Sequence, residues 1–209
     1  MNASSFSRES LPTFKVNESG EAFEVDEVLT RLARRLSPEE MTSSNTAKII
    51  EELFERTRAY VDDRGNQLGV GMAAPQLGED MALAVVSIKP PKGKEKVAKP
   101  LEMVMINPEY EGIGERQPSL LPDGCMSSNT GDPETTMFGQ TMRYEKIELS
   151  WYDKTGEYHT ATFSGIQAQV IQHEVDHLYG ILFTDRLPED PEERRGRVIS
   201  QLALQAMKA

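Results

Sequence analysis

The stretch Gln169–Gly180, QVIQHEVDHLYG, places two of the chain's three histidines four residues apart, with a glutamate directly after the first. On an α-helix such residues differ by about 40 degrees of rotation and about 6 Å of rise, so His173 and His177 project side by side. Glu174 leans toward the same volume. The string HEVDH thus matches HExxH, the pattern of a metal-bearing helix whose glutamate serves as general base. Ser164 and Gln167 form a capping-box pattern that predicts the helix start, and Gly180 predicts its end. Two imidazoles alone hold a metal weakly, so the third ligand decides what kind of site this is.

Spacing narrows the choice without closing it. The extension HExxHxxGxxH would need histidine at position 183, which is Phe183, and the downstream Glu189, Glu192 and Glu193 fall in a proline-rich charged segment or at the start of a final helix. His159 falls in a predicted strand, where a packing or solvent-facing role is the ordinary one. Cys125 lies in LLPDGCMSS beside a glycine that permits close backbone approach. A lone cysteine is more often an inert buried residue.

Working outward, a short helix is predicted over Glu24–Leu36. A stronger one runs from about Thr46 to Asp63, where Ile49, Ile50, Leu53, Phe54, Thr57, Tyr60 and Val61 recur at helical spacing behind Ser44 and Asn45. MALAVVSI and LEMVMINP read as strands, separated by the exposed loop PPKGKEKVAKP. Glu145–Tyr152 alternates, with Ile147, Leu149 and Trp151 on one side, and DKTG turns it into EYHTATF as a β-hairpin. ILFTDRLPEDP reads as a strand and loop, succeeded by a closing helix from about Glu192 to Met207. Strands and helices are segregated, so the expected class is α+β: small antiparallel or mixed sheets around a central HExxH helix, with N- and C-terminal helices packed outside. Residues 1–22 are Ser-rich and polar and read as a flexible leader, leaving 23–209 as one catalytic domain.

Composition bounds the function. With 209 residues, 38% of them hydrophobic and 27% charged, the chain suits one ordinary globular domain. No apolar run approaches the ~20 residues of a membrane span. A formal net charge of -11 argues against general binding to DNA, RNA phosphates or anionic lipid. One cysteine excludes an internal disulfide and fits a reducing compartment, and MNASSFSRESLPTFK lacks the apolar core of a secretory signal. A cytoplasmic protein is expected, with an organellar origin left open.

GVGMAA satisfies the loose dinucleotide-binding pattern GxGxxA, but that mechanism requires a strand before it and a helix opening directly after it. Here a helix and DDRGNQ precede it, and Pro75 and Gly78 interrupt the residues after it. The glycines fit a tight backbone path lining a cleft, with Gln76 offering an amide donor.

GVGMAAPQ at Gly69–Gln76, DGCMS at Asp123–Ser127 and HEVDH at His173–His177 together, in this order, resemble the marks of the peptide deformylase family. The likeness extends through INP near Asn107, RYEKI near Arg143 and the hairpin, over about residues 65–187. It implies that Cys125, His173 and His177 hold one divalent metal, Fe(II) favoured, with zinc, nickel or cobalt able to replace it. It implies that Glu174 is the general base, that the Gln76 side chain and the Met126 backbone N–H stabilise the oxyanion, and that Gly71 offers its backbone to the substrate. Asp176 would pair with Arg143 as structural support. The implied substrate is the N-formyl-methionyl end of a nascent chain, with transient ribosome contact through the C-terminal helix. Leu121, Ile166 and Val170 could line a methionine pocket or could be ordinary core, and Gln169, on the same helix face, is an unexpected polar neighbour there. Asp123 stands where the family usually has glutamate, which bears on substrate binding or loop rigidity. SSNTGDPETTMFGQT is longer and more polar than the bacterial pattern. The rival readings are a zincin-type peptidase and a metal-binding homologue without catalysis.

Overall fold

Burial decides the role of the HExxH helix. Every residue from Ala168 to Leu178 is buried, polar ones included, in a helix spanning Gly165–Leu178. A helix buried all round must sit at the centre of a domain. The computed structural model describes residues 11–60, 69–89 and 101–207. Its elements in chain order are β1 (Lys15–Val16), β2 (Ala22–Phe23), α1 (Pro38–Met41), α2 (Ser44–Ala59), β3 (Gly71–Ala73), β4 (Leu83–Ile88) and β5 (Leu101–Pro118). Then come β6 (Met137–Gly139), β7 (Met142–Tyr152), β8 (Tyr158–Ser164), α3 (Gly165–Leu178), α4 (Pro191–Gly196), β9 (Val198–Ser200) and α5 (Gln201–Ala206).

The main sheet is antiparallel, in the order β3-β4-β5-β7-β8. Its alternating residues Ile147 and Leu149 pack with Met105, Ile171 and Val175 to join the sheet to α3. Gln172 ties the same two elements by hydrogen bonds: its Nε2 donates to Tyr144 O at 2.8 Å and its Oε1 accepts from Tyr144 N at 3.0 Å. A second cluster, built on Leu53, Met72, Leu83, Val85 and Ile106, packs α2 against β3 and β4. This architecture is α+β, as the segregated pattern predicted.

The hairpin forms as expected, with Trp151 opposite His159 and Tyr152 opposite Tyr158. The strand predicted at LEMVMINP continues to Pro118, shifting register between Ile106 and Glu109 and again between Ile113 and Arg116. α2 starts at Ser44, capped by Ser43, which accepts from Thr46 N at 3.1 Å. Residues 61–68, which include DDRGNQ and the expected end of that helix, and the PPKGKEKVAKP loop lie outside the described residues.

Several expectations are corrected. Glu24–Leu36 forms only a 3-10 turn at Glu27–Thr30. Its backbone is taken by tertiary partners instead: Ala33 N donates to Leu178 O at 2.8 Å, Arg34 N to Asp80 Oδ1 at 2.8 Å and Leu36 N to Asn107 Oδ1 at 2.9 Å. Residues 11–22, assigned to the leader, carry β1 and the first residue of its partner β2, and Phe14 is buried against Phe183. An aromatic side chain with a core to enter orders the segment around it. Residues 1–10 lie outside the described residues. Ser164 stands at the N-cap of α3 without making the expected cap bond, because it is still a strand residue paired with Lys146. The helix stop holds: Gly180 has φ +70, and a Cβ there would lie 2.5 Å from the Thr30 backbone. Phe183–Arg186 is a 3-10 turn, not a strand. The closing helix is split into α4, β9 and α5, since the β-branched Val198 and Ile199 leave the helix to pair with β6.

Candidate metal centre

α3 delivers His173 and His177 with ring centroids 5.0 Å apart and planes at 80°. The segment after Pro122 brings Cys125 alongside, and its Sγ lies 3.2 Å from His177 Nε2. The ligating atoms of the three residues all fall within 4.8 Å of one another, and all three are buried. Burial pushes the Cys125 thiol up to about 12, against the opposing pull of Ser127 and Ser128, and pushes both imidazoles below their ordinary range. Such a set is poised as neutral donors until a cation displaces the thiol proton. His177 Nδ1 has no hydrogen-bond partner among the described residues. One sulfur and two nitrogens converging in a buried site fit a divalent ion of the zinc or iron kind.

Glu174 is also fully enclosed, and burial raises its pKa well above the usual carboxylate range. Its Oε2 is unpartnered among the described residues. The carboxyl rests on Gly71 of β3, where an added Cβ would come within 2.5 Å of Oε1. Glycine is required there to clear the carboxylate. β3 is the edge of the sheet, and Val70 O accepts from Ser87 N of the β4 chain at 2.8 Å. Antiparallel alternation therefore turns the Gly71 N–H and C=O to the free side. Gln76, buried at the end of the turn Ala74–Leu77, accepts from Ala73 N at 2.8 Å and directs its Nε2 to Cys125 Sγ and Ser127 Oγ, each at 3.3 Å. Met126 opens the turn directly after Cys125.

Behind the ligands lies a separate charged network. Arg143 of β7 pairs with Asp123 at 2.9 Å and with Asp176, all three buried. Arg186 adds a fork to Asp176, Nε to Oδ2 at 2.9 Å and Nη2 to Oδ1 at 2.6 Å, and the Tyr110 hydroxyl donates to Oδ1 at 3.3 Å. Burial alone would raise both aspartates, but Arg186 and Arg143 at Asp176, and Arg143 at Asp123, hold them below their usual value. The short Asp123 reaches its donors: Oδ2 accepts from Thr141 Oγ1 at 2.6 Å and Arg143 Nε at 3.0 Å, and Oδ1 accepts from Gln169 Nε2 at 2.9 Å. Gln169 also donates to Leu121 O at 2.7 Å and accepts from Leu121 N at 3.3 Å. The polar residue that looked out of place is thus spent on the segment leading to Cys125.

A cleft of 380 Å³ opens onto Cys125, His173 and Glu174. Leu121 and Ile166 line it with exposed side chains, while Val170 lines it and also belongs to the core beneath. Val170 is thus both a wall of the cleft and a core residue. Phe138, Gln201 and Leu204 line it too, and sequence reasoning named none of them. It also missed Arg186, Tyr110 and Thr141, whose partners lie 10, 66 and 18 residues away. The lone arginine closing FTDR was the only local sign. His159 takes no part: it stacks on Trp151 and its Nε2 lies 3.0 Å from Asp153 at the hairpin tip.

Comparison with known proteins places the chain in one family. The family described as Polypeptide deformylase matches residues 24–193. The peptide deformylase of Chlorobium luteolum is 32% identical over 178 residues, 85% of this chain and 83% of that one. That of Chlorobaculum tepidum is 35% identical over 164 residues, 78% and 77% of the two chains. The Met-Ala-Ser-bound class I type b enzyme of Acinetobacter baumannii superposes with a TM-score of 0.61 at 26% identity, over 84% of this chain and 99% of that one. The chain therefore belongs to the polypeptide deformylase family, metal-dependent hydrolases that remove the N-formyl group from newly made polypeptides.

Proposed function

We propose that Cys125, His173 and His177 hold one divalent metal, Fe(II) favoured over zinc, nickel or cobalt, and that Glu174 is the base that attacks N-formyl-methionyl peptides through water. The observation that carries this reading is the convergence of three donors within 4.8 Å beside a buried carboxyl whose Oε2 has no partner among the described residues. When bound, the metal lowers the pKa of a water and polarises the formyl carbonyl. Glu174 accepts the water proton and returns it to the departing amine, so the formamide C–N bond breaks and formate and a free N-terminus result. Its raised pKa suits a group that must both take and give a proton. Gln76 Nε2 and the Met126 N–H donate to the oxygen that gains charge. Gly71 pairs its outward backbone groups with the substrate main chain. Leu121, Ile166 and Val170 hold the methionine side chain, while Asp123, Arg143 and Asp176 fix the loop and the helix that carry the ligands.

The same reading assigns a cytoplasmic place of work, where formylated chains emerge, with transient ribosome contact through the C-terminal segment. No helix among the described residues is long and apolar enough to cross a membrane. The test is formate release from formyl-Met-Ala-Ser by protein loaded with Fe(II) under anaerobic conditions. Release is expected. No release at full metal occupancy overturns the reading, and cleavage of an internal bond in an unformylated peptide would favour a peptidase.

A further inference from the structure

The metal centre does not account for the length of chain between Cys125 and Arg143. That length is used by β6, which pairs with β9: Met137 with Ser200, Phe138 with Ile199 and Gly139 with Val198. The pairing is extended on both flanks. Gln140 N donates to Arg197 O at 2.9 Å, Gln201 N to Thr136 O at 2.8 Å and Leu202 N to Pro133 O at 2.8 Å. Ser200 then caps α5 by accepting from Ala203 N at 3.3 Å. On its other side β6 is bridged to the ligand segment, since Asp123 and Gly139 exchange backbone hydrogen bonds, each of 2.8 Å. The chain's C-terminal segment is therefore stitched to the cleft rather than lying apart from it.

We propose that Val198–Ala206, seated on β6, forms the wall of the cleft that contacts the substrate residues beyond the formylated methionine, with Leu204 and Phe138 favouring apolar side chains there. This rests on the deformylase reading of the site. Under that reading the methionine side chain lies against Leu121, Ile166 and Val170, so the rest of a polypeptide must leave past the remaining walls. One of those walls is the β3 side, with Val70 and Gly71 for the main chain, and the other carries Phe138, Gln201 and Leu204. The occupant is the continuing substrate because this wall is continuous with the catalytic cleft. Leu202, 49% exposed and on the same helix, does not line the cleft, which makes it an internal control.

The experiment compares formyl-Met-amide, which ends before the wall, with formyl-Met-Leu-Phe on the metal-loaded full chain. Leu204→Asp should raise KM for the tripeptide about fivefold to tenfold with kcat little changed, and leave formyl-Met-amide unaffected. Leu204→Ala should show the same split in smaller size, Leu204→Met should restore the wild-type values, and Leu202→Asp should alter neither substrate. Equal losses on both substrates, or none on either, would overturn the proposal, the first because it marks a merely structural role. If the wild-type protein releases formate from neither substrate, the reading of the site falls and takes this wall with it. That outcome is distinct because it precedes any variant.

Discussion

Two groups of buried polar side chains share helix α3, and their hydrogen bonding differs. On one side, Asp176 is matched by Arg143, Arg186 and Tyr110, and through Arg143 it is joined to Asp123, Thr141 and Gln169. On the other, Glu174 Oε2 and His177 Nδ1 have no partner among the described residues. In the first set every carboxylate oxygen is paired, and Arg143 Nη2, which makes no hydrogen bond of its own, still lies 2.9 Å from Asp123 Oδ2. Burying polar atoms without partners costs free energy, so a chain that pairs the carboxylates of one set and leaves the carboxyl of the other open has two different uses for them. Under the proposed function the matched set is scaffold, and the open carboxyl of Glu174 is the group left for water and substrate.

The comparison can be broken from either side. Cys125→Ala or His177→Ala should have the largest effect, weakening metal binding by more than about 100-fold and abolishing formate release, as read by metal analysis after dialysis. Asp176→Asn attacks the scaffold and leaves two arginines short of their counter-charge. Breaking a buried pair in this way should cost about 3–5 kcal/mol in chemical denaturation and lower metal affinity about 10–100-fold. Gln169→Leu removes three hydrogen bonds to Leu121 and Asp123 but keeps the cleft apolar. It should cost about 1–3 kcal/mol of stability and loosen the Cys125 segment, seen as faster hydrogen exchange at Leu121. If Gln169→Leu proved neutral, Asp123 would be held by Thr141 and Arg143 alone.

What could be read from the sequence was local. The HExxH spacing, the glycine stop and the alternation of Ile147, Leu149 and Trp151 each carry their own period, and the helix and hairpin formed where expected. Cys125 was different. It lies 52 residues from His177, and no periodicity spans that gap, so only the resemblance to a family joined them. The β6–β9 pairing escaped for the same reason, whereas Arg186, only 10 residues from Asp176, sits in a 3-10 turn with no period to mark it. β5 beyond Glu109 escaped because it is almost wholly exposed, leaving no apolar alternation to read; its pairing with β7 holds it. Over Glu24–Leu36 the sequence misled, since Leu29, Ala33 and Leu36 mimic a helical stripe while the backbone bonds to Leu178, Asp80 and Asn107.

The central claim is that the unpartnered carboxyl of Glu174 does chemistry beside a metal it does not hold. Its most direct test is metal content and formate release measured together on Glu174→Ala. The account predicts one metal per chain, as in the wild type, with turnover of formyl-Met-Ala-Ser reduced about 10²- to 10⁴-fold. Wild-type turnover in that variant, or loss of the metal along with activity, would contradict it.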